Sequence, residues 1–114
     1  MDRVELRKFL DAEQAHALKW YEDAKTAVLE SEKTLEDFDE YVLSVGKNNL
    51  SDEERKQYKD AKELVCKARE DLIFFDGVKK ATDAIANRIR SNMAREELAN
   101  AGKWVINPIK PRRR

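Results

Sequence analysis

The chain has 114 residues, with only three glycines and two prolines to interrupt it; this is the size of one domain or one long helical hairpin, and it predicts mostly helix. Acids and bases balance at 23 each. No run of about 18 apolar residues is present, which excludes a membrane-spanning helix.

Charged residues reach 40% and hydrophobic ones 41%. Against the roughly 25% charge of an ordinary domain, that pairing favours long amphipathic helices over a thick core. The opening "MDRVELRKFL" lacks the apolar stretch of a secretion signal, and the single cysteine, Cys66, cannot form an internal disulfide. Both features point to a cytoplasmic, reducing location.

The first predicted element is a helix over about residues 3–45. Leu10, Ala17, Tyr21, Ala24, Val28, Ser31, Leu35, Phe38, Val42 and Val45 form a heptad seam in steps of three and four once past Gln14. Leu6, Leu18, Trp20, Ala27 and Leu43 widen it, which suits packing against more than one neighbour. Gly46 is a good residue to end this helix, and the turn occupies 46–50. Ser51 then caps a second helix, with Glu54 completing a capping box and Asp52 and Glu53 facing the positive end of the helix dipole. A short polar loop between two long helices makes an antiparallel hairpin, in which paired positions have numbers summing to about 96.

The second seam runs through Tyr58, Ala61, Val65, Ala68, Leu72 and Phe75, and resumes after Gly77 as Val78, Thr82, Ile85 and Ile89. The step of three where four is due, on the Asp76-Gly77 pair, predicts a kink or a break there. The second arm is then either bent or divided into helices of about 51–76 and 78–100. Residues 1–102 form the hairpin domain, and 103–114, containing Pro108 and Pro111, form an extended basic tail. The fold class is all-α, a long coiled-coil-like hairpin, and its thin core predicts an oligomer.

Charge is unevenly placed. Residues 30–54, the hairpin tip, carry nine acids against Lys33 and Lys47, while residues 79–114 carry ten bases against Asp83, Glu96 and Glu97. In an antiparallel hairpin these regions lie at opposite poles, several Debye lengths apart. Something outside the chain must then meet the basic pole: nucleic acid, an acidic protein, or the acidic tip of another copy. The candidate polyanion-binding residues are Lys79, Lys80, Arg88, Arg90, Arg95, Lys110, Arg112, Arg113 and Arg114. Arg88, Asn92 and Arg95 share one helical face, and guanidinium forks suit phosphate oxygens.

Trp104, Val105, Ile106 and Ile109 put four apolar side chains on the tail, more than a disordered segment usually carries. They are candidate docking residues. Packing back on the chain's own helices, clasping a neighbouring subunit or partner, and base stacking by Trp104 all remain open.

Catalytic signals are weak. Glu13 and His16 have the E-x-x-H spacing of helical di-iron sites, but such sites need two of these motifs and this chain has one histidine. Cys66 and His16 fall about 20 Å apart along the hairpin. No phosphate-cradling glycine loop and no nucleophile elbow occurs. The expectation is a protein with no enzymatic activity, no metal, no cofactor and no small-molecule substrate.

The stretch "DLIFFDGVKKATDAIANRIRSNMAREELANAGK", residues 71–103, resembles the C-terminal part of UvsY-type recombination mediators of T4-like phages. The likeness rests on apolar spacing and local matches such as "DAI" and "AGK". It implies an all-helical, ring-forming protein that binds single-stranded DNA through a basic segment, here Lys79, Lys80, Arg88, Arg90 and Arg95. Two functions are therefore expected. One is an oligomeric accessory factor of recombination or replication that holds nucleic acid or another polyanion. The other is a protein-binding module, an assembly factor or small inhibitor, acting through its acidic tip or apolar arm.

Overall fold

The computed structural model describes the backbone of residues 2–106 and the side chains of residues 2–101. Among these residues the chain forms two long helices, α1 (Arg3–Val45) and α2 (Asp52–Ile106), joined by a 3-10 turn at Lys47–Asn49, with no strand. At 1.5 Å per residue the helices are about 65 and 80 Å long. The radius of gyration, 26.5 Å, is about twice the ~13 Å of a compact chain of this length. The molecule is a rod.

Local chemistry sets the helix ends. The Asp2 carboxylate accepts a hydrogen bond from the Glu5 N–H at 2.8 Å, satisfying one of the first turn's free donors. At the other end Gly46 takes φ +94°, a conformation side chains resist, and its N–H donates to the Val42 carbonyl at 2.9 Å. The Asn49 amide donates to the Val45 carbonyl at 2.8 Å, and Leu50 buries its side chain under the turn. The capping box closes in both directions: the Glu54 N–H donates to Ser51 Oγ at 3.1 Å, and the Ser51 N–H to Glu54 Oε1 at 2.9 Å.

The hydrogen bonds that cross between α1 and α2 join residues whose numbers add to between 95 and 104. The helices therefore run side by side in opposite directions. Along α1 the seam from Leu10 to Val45 is buried or half-buried. Half of the buried apolar residues between the helices are alanines: Ala17, Ala24, Ala61, Ala68 and Ala86. Alanine lets the backbones approach closely but removes little surface from water. Ser31, the one buried polar residue among the described residues, donates to the Val28 carbonyl at 3.0 Å.

Two expectations are corrected. First, α2 is not divided at Asp76-Gly77; it is one helix through both residues. Its seam runs Tyr58, Ala61, Val65, Ala68, Leu72, Phe75, Lys79, Thr82, Ala86, Ile89 and Met93, in alternating steps of three and four, every position buried or half-buried. The stammer vanishes because Lys79 and Ala86 hold seam positions. Lys79 lays its aliphatic stem along the seam and carries its ammonium out to Asp83 at 3.0 Å. Ile85, the more apolar neighbour of Ala86, is 60% exposed, whereas Ala86 is 1% exposed. Gly77 faces outward, with nothing within 4 Å of where a Cβ would sit.

Second, the helix does not end near 100–102. Its backbone continues through Trp104, Val105 and Ile106, which were expected on an extended segment. A single glycine costs a helix only about 1 kcal/mol, and Pro108 disfavours helix only at the residue before it, so nothing in 102–106 forbids the helical path. Ile109, Lys110, Arg112, Arg113 and Arg114 lie outside the described residues.

Candidate functional site

The basic residues of α2 divide into engaged and unengaged groups. Lys79 is paired with Asp83 at 3.0 Å and Lys80 with Asp76 at 2.8 Å. The Arg90 guanidinium reaches across to α1, donating to Asp11 at 2.5 Å and to Gln14. Arg88 and Arg95, two turns apart on one face, have no carboxylate within 4.0 Å among the described residues. Glu96 and Glu97 are taken by Arg3 and Arg7 of α1: Arg3 meets Glu96 at 2.9 Å and Glu97 at 3.2 Å, and Arg7 also bonds Glu97. Of the five helical candidates, two stay free to meet an anion without first breaking an ion pair.

These pairings shift several protonation equilibria. The Lys79 ammonium, and then the Gln14 amide, hold the Asp83 carboxyl below the usual carboxylate range. The hydrogen bond from Lys80 to Asp76, with the attraction between them, raises the lysine. All of these groups face water, so each pair orders side chains more than it stabilises the fold.

The acidic tip is organised rather than loose. The Tyr41 hydroxyl donates to Glu54, so one carboxylate caps α2 and ties it to α1. That bond, together with those from Ser51, lowers the Glu54 carboxyl, while the carboxylate beside it raises the Tyr41 hydroxyl. The Tyr58 hydroxyl donates to Asp39 at 2.5 Å and is raised for the same reason. Lys62 sits 4.0 Å above the Tyr58 ring, a cation–π contact on the same side.

The two flanks of the rod differ. One carries the ion pairs Glu32–Arg69 and Asp11–Arg90 and the Asp39–Tyr58 bond. The other is an open groove. Ala27, Ser31, Thr34, Leu64 and Ala68 line one stretch together with the charged Glu30, Lys67 and Asp71, and Thr34, Phe38, Tyr41 and Gln57 continue it toward the tip with Asp37 and Glu54. Trp20 lies near this flank's far end, between His16 and Phe75, with ring centroids 6.2 and 6.3 Å away. Sequence reasoning noted Trp20 and Ala27 as widening the seam but did not see that the widening collects on one side. The signal was the sevenfold spacing of Trp20, Ala27, Thr34 and Tyr41, which a 3.5-residue seam places on a single flank.

Among the described residues no group of three or more His, Cys, Asp and Glu is arranged to hold a metal ion, and no helix is long and apolar enough to cross a membrane. Cys66 is exposed. The chain matches no protein-family model, no curated protein and no solved structure.

Proposed function

We propose that the chain is a non-enzymatic, self-associating helical binding protein of the cytoplasm that engages nucleic acid, single-stranded DNA foremost, or another polyanion through its basic C-terminal region, as an accessory factor in recombination or replication. The observation that carries this reading is the separation of charge along the rod. The acidic tip lies at the turn end of the rod and the basic stretch of α2 toward the other end; Lys79, its first base, stands about 40 Å along α2 from Asp52, and Arg95 about 65 Å. At a Debye length of about 8 Å they cannot neutralise each other within one copy. Arg88 and Arg95 share one face of α2, and the sequence after them adds the bases Lys103, Lys110 and Arg112–Arg114; guanidinium and ammonium groups suit phosphates. The likeness of residues 71–103 to UvsY-type mediators points the same way.

Affinity for single-stranded DNA measured against salt, for the full chain and for a chain ending at Gly102, tests the proposal. Each phosphate contact contributes roughly 0.7 to the logarithmic salt slope on single strands. The full chain is expected to show a steep slope that flattens on truncation, and Arg88→Ala or Arg95→Ala to lower it by about one contact each. No binding at low salt would overturn the reading. The second reading, a protein-binding module acting through its tip or apolar residues, would then stand; it is favoured by apolar side chains that the hairpin leaves in water, among them Leu43 at 85% exposure.

A further inference from the structure

The apolar flank is the feature of this rod that a single chain leaves unexplained. Trp20, Tyr41, Leu64 and Ile85 are 49, 43, 54 and 60% exposed, although their residue types are those that usually fill cores and interfaces. Leu64, Val78 and Ile85 fall on one sevenfold register of α2 with Asp71 between the first two, as Trp20 and Tyr41 do with Ala27 and Thr34 between them on α1, so one groove side gathers them. From Gln57 to Ile85 the flank is about 42 Å long and two helix diameters, about 20 Å, across. That is roughly 800 Å², one partner's share of a standard stable interface. Half of the fully buried apolar residues beneath it are alanines, so the hairpin alone buries little.

We infer that this flank docks a second copy of the chain, antiparallel, with the two-fold axis between Ala27 and Thr34. The pattern is self-complementary about that point. Ala27 and Thr34, both small, flank the axis; Trp20 and Tyr41 stand one heptad further out on either side, so each copy's Trp20 meets the other copy's Tyr41 as an aromatic pair. Charge selects the direction. A parallel arrangement sets one acidic tip on another, nine acids against nine. The antiparallel one keeps the two tips apart and brings each toward the other copy's Arg88, which has no carboxylate partner of its own among the described residues, while Lys79 and Lys80 stay paired with Asp83 and Asp76. Positive meets negative at both ends of the dimer. The inference rests on the self-association in the proposed function and specifies its surface, but it does not require nucleic acid.

Sedimentation equilibrium of the full chain at micromolar concentration is expected to give twice 13.3 kDa. Thr34→Arg and Leu64→Lys, both at exposed positions, are each expected to weaken the dimer at least tenfold while circular dichroism stays helical. On a Cys66→Ser background, Glu30→Cys near the axis should oxidise to a linked dimer, and Tyr41→Cys should link to Trp20→Cys in a mixture but not to itself. A wild-type monomer, an undiminished dimer in both folded charge variants, or self-linking of Tyr41→Cys would overturn the inference. Single-stranded DNA binding by a wild-type monomer removes this surface and leaves the proposed function; a dimer that binds no DNA at low salt does the reverse.

Discussion

Replacing each of two glycines by alanine should move stability in opposite directions. Gly77 sits inside α2 with ordinary helical backbone and nothing within 4 Å of an added Cβ. The methyl group makes no contact, so the whole effect is the difference in helix propensity, about 0.8–1.0 kcal/mol in favour of alanine. For a chain of this size that raises the thermal midpoint by about 4 °C. Gly46 holds φ +94°, and an added Cβ would stand 3.1 Å from the Asn49 amide nitrogen. Gly46→Ala should therefore cost about 1–3 kcal/mol. Thermal and urea denaturation at one fixed protein concentration measure both, since self-association would make the midpoint concentration-dependent. A neutral or destabilising Gly77→Ala would refute the continuous helix, because it would mean that residue 77 needs a backbone that alanine resists.

Other consequences follow from the register and the caps. Ala86→Leu should cost about 1–3 kcal/mol by overpacking the seam, while Ile85→Ala, on the Thr34→Arg background that keeps the chain monomeric, should cost less than about 1 kcal/mol; the reverse order in urea unfolding would move the seam back to Ile85. Ser51→Ala should cost about 1 kcal/mol through loss of the α2 cap, and a change under about 0.3 kcal/mol would mean that water replaces the hydroxyl freely. The Tyr41 and Tyr58 hydroxyls are raised above the usual tyrosine value of about 10 by their bonds to Glu54 and Asp39. The stability they contribute is thus complete below that value and is lost as pH rises through the higher folded one. Tyrosinate absorbance should show Tyr41→Phe and Tyr58→Phe each removing a late-titrating group, and an unchanged late phase in both would refute the two bonds. Glu54 and Asp83 are lowered, so their contribution is present above the usual carboxylate range and fades as pH falls through their folded values. In Tyr41→Phe, acid unfolding should start at higher pH.

The helix ends were legible because caps are local. Gly46, Ser51 and Glu54 act on backbone groups within four residues of themselves, and the sequence displays those neighbours directly. The seam across Gly77 was misread because apolar character is an imperfect sign of burial. Lys79 enters the seam with its stem and leaves with its charge, and Ala86 is buried for being small while Ile85 beside it is not. The candidate basic row was only partly legible. Lys79 and Lys80 each find their acid four residues away, which spacing alone suggests. Arg90 finds Asp11 on the other helix, and that depends on a register which sequence gives only to within a turn. The tail's helical backbone to Ile106 was missed because Gly102 and Pro108 were given more weight as breakers than their energies warrant.

The bonds across the rod span sequence separations from 13 at Tyr41–Glu54 to 94 at Arg3–Glu97. A chain built this way closes like a zip fastener: each contact shortens the loop left for the next, and those nearest the turn cost least entropy to form. The slider starts at Gly46 and the teeth at Arg3 engage last, so the arms part first at the end farthest from the turn. Amide exchange should quicken steadily from Leu50 outward, and the end that bears the arginines is the one that can open while the rest stays shut.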